Sequence, residues 1–130
     1  MLGLDTNVLI RLLIDDDSAP KQCLAARQLV SEAGKTYVPQ VVQIETVWVL
    51  SSAYGLNRSG VEKTLSAIAH HPAITLQRPD MFNAALEHYR TSTADFADCM
   101  ILVETENAGC ELATFDRKLG KLPGARLISA

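Results

Sequence analysis

Short apolar runs alternate with longer stretches of helical periodicity along the whole chain, and this alternation limits the folds open to it. Leu2-Gly3-Leu4 is a brief strand-like run ended by Asp5. Residues 6–15 then carry Val8, Leu9, Leu12 and Leu13 at helical spacing. A second helix is predicted from Ser18 as N-cap, with Pro20 in its first turn, to about Ala33, where Gly34 stops it. Thr36-Tyr37-Val38 reads as a strand closed by Pro39. Helices follow over about 41–53 and, from the capping-box pattern Ser59-Gly60-Val61-Glu62, to about His70. Residues 73–76 read as a strand, 80–91 as a helix, and Asp95 opens a last helix ending near Gly109. Strands are predicted over 111–114 and 126–129. This order favours an α/β domain with a mainly parallel sheet. With no repeat, low-complexity tract or linker, one domain over residues 1–130 is expected.

Four acids stand out against that pattern: Asp5, Glu45, Asp98 and Asp116. In open α/β sheets, ligands bind beyond the carboxyl ends of the strands, and Asp5 and Asp116 each follow a strand-like run. Each acid also has a plainer reading. Asp5-Thr6-Asn7 has the chemistry of a helix start, although the helix after it is apolar on most sides, which predicts a buried strand end. Glu45 shares a helix side with Val41, Val42, Trp48, Val49 and Ser52. A carboxylate there is costly to bury unless paired, for instance with Arg11, or bound to a metal. Asp95 and Asp98, three residues apart, face the same way on a first helical turn, where both also suit an N-terminus. Asp116 alone fits turn chemistry. Thr114 suits either a hydrogen bond to an acid or phosphate oxygen, or a plain strand position. Taken together, the four acids suggest one cluster holding a divalent cation against a phosphate backbone. An all-oxygen set favours Mg²⁺ or Mn²⁺ over zinc.

The bulk composition narrows the partners. The formal net charge of −3 provides no basic field, which argues against a simple electrostatic binder of nucleic acid. It argues less against a metal-dependent nuclease, because bound cations supply local positive charge. Arg117, Lys118, Lys121 and Arg126 form a locally basic segment directly after Asp116 and are candidate RNA contacts, with a solvated helix and turn as the alternative. Cys23, Cys99 and Cys110 form no CxxC pair and read as reduced, buried thiols. His70-His71 reads as a dipole-favoured helix end, not a ligand pair. Core packing is favoured over an interface role for Trp48. No apolar run is long enough to span a membrane, and the chain opens in a strand-like run, not a basic leader, so a cytoplasmic protein is expected.

Four segments carry a family resemblance: Leu4-Asp5-Thr6-Asn7-Val8-Leu9-Ile10, Glu45 in its apolar helix, Asp95-Phe96-Ala97-Asp98 with Ile101, and Leu112-Ala113-Thr114-Phe115-Asp116. In these segments the chain resembles the PIN-domain metal-dependent ribonucleases, and within them the VapC-type toxins of bacterial toxin–antitoxin pairs. The resemblance implies a parallel sheet of about five strands flanked by helices. It implies that Asp5, Glu45, Asp98 and Asp116 are the acidic quartet, that Asp95 is an auxiliary ligand, and that Thr6, Asn7 and Thr114 are polar supports. It also implies Mg²⁺-dependent endoribonuclease activity (Mn²⁺ as an alternative metal), an antitoxin partner and a homodimer. Cys99 departs from the small residue common after the third acid. A PIN nuclease of RNA processing outside any toxin pair is the nearest alternative. A receiver-type Mg²⁺-binding signalling domain is a more distant one, but Thr6-Asn7 stand where its second acid would be.

Overall fold

The computed structural model describes all 130 residues. It divides into two compact units, Met1–Pro79 and Asp80–Ala130. Six helices and five strands follow in the order read from the sequence, with every strand pairing parallel. The strands are shared between two sheets, one of three and one of two.

In the first unit, β1 (Leu2–Gly3), β2 (Thr36–Val38) and β3 (Ile74–Leu76) lie in that spatial order. Two helices connect each pair: α1 (Thr6–Leu13) and α2 (Pro20–Ala33), then α3 (Gln40–Ser52) and α4 (Arg58–His70). Leu9 and Ile10 of α1, Val38 of β2, Leu50 of α3, and Val61 and Leu65 of α4 are fully buried. Gly34 ends α2 with φ 75°, a left-handed conformation that glycine adopts without a Cβ penalty. The predicted caps shift slightly. Ser18 does not cap α2. It donates to Asp16 instead, and Ala19 takes the cap position without a side-chain bond. Asn57, not Ser59, caps α4, its Oδ1 accepting from Gly60 N at 2.9 Å.

Helix α3 departs most from its sequence pattern. Its buried side is Gln40, Gln43, Thr46 and Leu50, whereas Val41 and Trp48 are exposed at 75% and 70%. Gln43 goes inward because its side chain closes the strand ends, whereas buried Gln40 takes part only through its backbone N. Gln43 Nε2 donates to the carbonyls of Val38 and Gln77, and Gln40 N donates to Gln77 Oε1 at 2.8 Å. Backbone groups just past two strand termini need partners, and here a polar helix face supplies them. Trp48 is therefore a surface residue, contrary to the core role expected for it. Glu45 also lies on the exposed side.

In the second unit, α5 (Pro79–Thr91) and α6 (Phe96–Asn107) precede β4 (Leu112–Thr114) and β5 (Ala125–Leu127). A single 3-10 turn at Leu119–Lys121 joins the strands. Phe82, Tyr89 and Phe96 form an edge-to-face aromatic cluster, with ring centroids 5.7 and 5.9 Å apart. Cys99 is buried beside Met100 and Leu102. Cys23 is also buried, but Cys110 is exposed, because it falls in the open turn after α6 and not inside the next strand.

Candidate functional site

Asp5 follows directly on β1 and starts α1. Its Oδ1 accepts from Val8 N at 3.0 Å, so it caps the helix. It is exposed, not buried as the apolar helix after it had predicted. The local reason is that Leu4 still pairs with the sheet, Leu4 N donating to Tyr37 O at 2.8 Å, while the chain turns outward at the next residue. Thr6 points the other way. It is 5% exposed, and its hydroxyl donates a hydrogen bond to Glu45 Oε1. That contact joins the first turn of α1 to the second turn of α3 and holds the Glu45 carboxylate at one point in solvent. Asn7 is exposed beside Asp5.

Arg11 does not pair with Glu45. Its Nη1 donates to Asp16 Oδ2 at 3.2 Å and to Tyr54 Oη, and its Nε donates to Gln22 Oε1 at 3.0 Å. Tyr54 in turn donates to the same Asp16 oxygen at 2.9 Å. The bonds from the Ser18 hydroxyl and amide, then from Tyr54, hold the Asp16 carboxyl below the usual carboxylate range. Burial, then the Asp16 contact, pushes the Tyr54 phenol up. Arg11 also lines a groove of about 330 Å³ together with Asp5, Asn7, Val8 and Gln22. Sequence reading missed Arg11 and Gln22 as site residues. The available signal was Arg11 four residues after Asn7, a lone cation on the same face of an apolar helix.

The second unit carries the other acids. Asp95 stands at the N-cap of α6 but makes no capping hydrogen bond, so the helix-start reading does not account for its carboxylate. Asp98 is in the first turn. Burial pushes its carboxyl above the usual range, and the charges of Asp95 and Asp116 push it the same way. Asp116 has a clear local role. Its Oδ1 accepts from Leu119 N at 2.9 Å and so opens the 3-10 turn. Thr114 Oγ1 accepts from Asp116 N at 3.0 Å, which pins the acid's backbone to the end of β4. Among the basic residues that follow, Arg126 pairs with Glu111 at 2.6 Å, whereas Arg117, Lys118 and Lys121 are exposed and form no ion pair. The adjacent histidines serve the backbone. His70 Nδ1 lies 2.8 Å from Ser66 O, and His71 Nδ1 accepts from Ala73 N at 3.1 Å.

Each unit thus presents carboxylates at a strand end. Asp5, Glu45 and Asp116 each accept a hydrogen bond from the protein, whereas Asp98, partly buried, feels the charges of Asp95 and Asp116. All five acids offer only oxygen donors, and Asp98 is destabilised as an anion by burial and like charge, but no three of the protein's acids, histidines or cysteines are gathered closely enough to hold a metal ion. No helix is long and apolar enough to cross a membrane.

The chain is 26% identical over 121 residues to a VapC ribonuclease of Aquifex aeolicus (strain VF5), covering 92% of this chain and 90% of that protein. The PIN domain profile matches residues 3–125, spanning all five acids and both units. With an α/β fold of parallel strands beneath a match of that extent, this chain belongs to the PIN domain family.

Proposed function

We propose that the protein is a divalent-metal-dependent endoribonuclease whose metal-binding acids are Asp5, Glu45, Asp98 and Asp116, with Asp95 as an auxiliary ligand. The observation that carries this reading is Asp98: a partly buried carboxylate with two acids beside it and its ionised form disfavoured. A fold gains nothing in stability from such a group, whereas a cation would relieve it. Perturbed acids of this kind concentrate at functional sites.

When bound, Mg²⁺ or Mn²⁺ would supply a water acidic enough to attack a phosphodiester and would stabilise charge on the phosphate. The chain's own residues do the rest. Asp98 and Asp5 are the foremost ligands. Thr6 orients Glu45 by its hydrogen bond, so that carboxylate is aimed before substrate arrives. Thr114 orients Asp116 through the backbone. Asn7 is free to hold a water or a phosphate oxygen. Arg117, Lys118 and Lys121 are free to meet the RNA backbone, because no carboxylate neutralises them.

The VapC relative supports a toxin role, with an antitoxin as the partner that restrains it and growth inhibition through RNA cleavage as the outcome. A homodimer and a cytoplasmic setting belong to the same reading. The exposed Val41 and Trp48 of α3 are the side chains best suited to meet a second copy. Purified wild-type protein is expected to cleave RNA with Mg²⁺ or Mn²⁺ and to stop in EDTA. Asp98→Asn and Asp5→Asn are each expected to lower the rate by about 100-fold or more. Asn still caps a helix, so Asp5→Asn should keep its fold. Full activity in either folded variant would sink the assignment.

A further inference from the structure

We propose that the groove between α1 and α2 is a subsite for one nucleotide of single-stranded RNA, its phosphate held by Arg11 and Gln22 and its base laid on the apolar floor. This rests on the nuclease reading, because the groove opens beside Asp5.

Four observations converge on it. The groove lies wholly within the first unit, has a volume of about 330 Å³, and shares Asp5 and Asn7 with the candidate metal centre. Its floor is Val8, Ala26 and Leu29, an apolar surface suited to a base face. The Arg11 guanidinium at its wall is held from three sides, by Gln22, Asp16 and Tyr54. Only Nε and Nη1 are used in those bonds, so Nη2 is left for a ligand.

Gln22 adds the fourth observation. Arg11 Nε has only a hydrogen to give, so Gln22 must turn its Oε1 towards it. That fixes the orientation of the amide and leaves Gln22 Nε2 to donate elsewhere. Two residues that line the groove therefore keep a donor outside this network, Arg11 Nη2 and Gln22 Nε2. Donors held in this way select an acceptor-rich anion, and a guanidinium is well matched to a phosphate.

The test uses full-length protein and two variants on the exposed surface of α2. Gln22→Glu keeps an acceptor for Arg11 Nε but replaces the free amide donor with a carboxylate that repels phosphate. Ala25→Leu fills the groove. Binding of a fluorescein-labelled single-stranded RNA is followed in EDTA, and cleavage of the same RNA in Mn²⁺. Both variants are expected to bind about tenfold more weakly, with KM raised to match and kcat little changed. The dependence of log affinity on log salt in Gln22→Glu should become shallower by about one phosphate contact.

Wild-type affinity and KM in both folded variants would overturn the subsite. So would unchanged RNA binding together with loss of the antitoxin complex, which would assign the groove to a protein helix. If wild type binds the RNA, Gln22→Glu weakens that binding, and neither protein cleaves in Mn²⁺, the subsite stands and the nuclease reading falls.

Discussion

Asp5 and Glu45 of the first unit and Asp98 of the second are held in opposite ways. Asp5 accepts from the backbone of α1, and Glu45 accepts from a buried threonine. Asp98 receives no such bond and sits partly buried beside Asp95 and Asp116. In the first unit the fold stabilises the charge and fixes its position. In the second it leaves the charge of Asp98 unrelieved, although Asp116 accepts from Leu119 N. The contrast is between charges that the fold positions and one that it leaves under burial and like-charge pressure.

The largest expected effect separates the two directly. Saturating Mn²⁺ should raise the stability of the wild type by binding linkage, by about 2.7 kcal/mol at a hundred times Kd. The gain should shrink much more in Asp98→Asn than in Glu45→Gln, when melting temperatures are compared with and without the ion. Equal shrinkage would erase the distinction between the units.

Next comes Thr6. Thr6→Val keeps the buried shape but removes the donor to Glu45, and is expected to cost about 10- to 100-fold in cleavage rate. Its stability should fall by only about 1 kcal/mol, because Glu45 is exposed and water replaces the hydroxyl. Thr6→Ser should restore the rate. If Ser fails to rescue, the role of Thr6 is packing and not aim.

Asp98 makes a smaller prediction of unusual sign. Its folded pKa is raised above the ordinary value of 3.8, so the native state binds its proton more tightly than the unfolded chain does. Its contribution to stability therefore declines as pH rises from that value through the folded pKa. Without metal, Asp98→Asn should melt above the wild type at neutral pH, and the gap should close under acid conditions. Asp16 has the reverse sign, because its pKa is lowered and the stability it contributes is lost as pH falls. An Asp98→Asn protein that melts lower at neutral pH would mean that the carboxylate is structurally paired.

The smallest expected effect is at Trp48. At 70% exposure, Trp48→Ala should change the stability of the dilute protein by no more than about 0.5 kcal/mol. A buried tryptophan would cost about 3–5 kcal/mol. Urea titration distinguishes the two, and so checks that the solvent side of α3 is the side that carries Glu45.

Much of this was legible from residue order. The six helices and five strands fell within a few residues of their predicted places, because periodicity, Gly34 and Pro39 act locally. Asp116 and Thr114 were readable as a strand-end turn for the same reason. Helix α3 was misread because Val41 and Trp48 face solvent while Gln40, Gln43 and Thr46 are buried. Burial there was decided by the carbonyls of Val38 and Gln77, which lie 39 residues apart and which no helical window contains. The argument for Glu45 from costly burial fails with it, and a different one, the Thr6 bond, takes its place.

The sequence by itself determined the element order, the parallel α/β class and the identities of the acids, since each depends on local pattern or on residue type. Tertiary structure alone decided that Asp5 is exposed, that Thr6 reaches Glu45 across 39 positions, that Arg11 is framed by Asp16, Tyr54 and Gln22, and that Asp98 is the acid without relief. The physical reason is range. Propensities and caps act over a few residues, whereas desolvation, charge crowding and a hydrogen bond between helices depend on which distant segments the fold brings together.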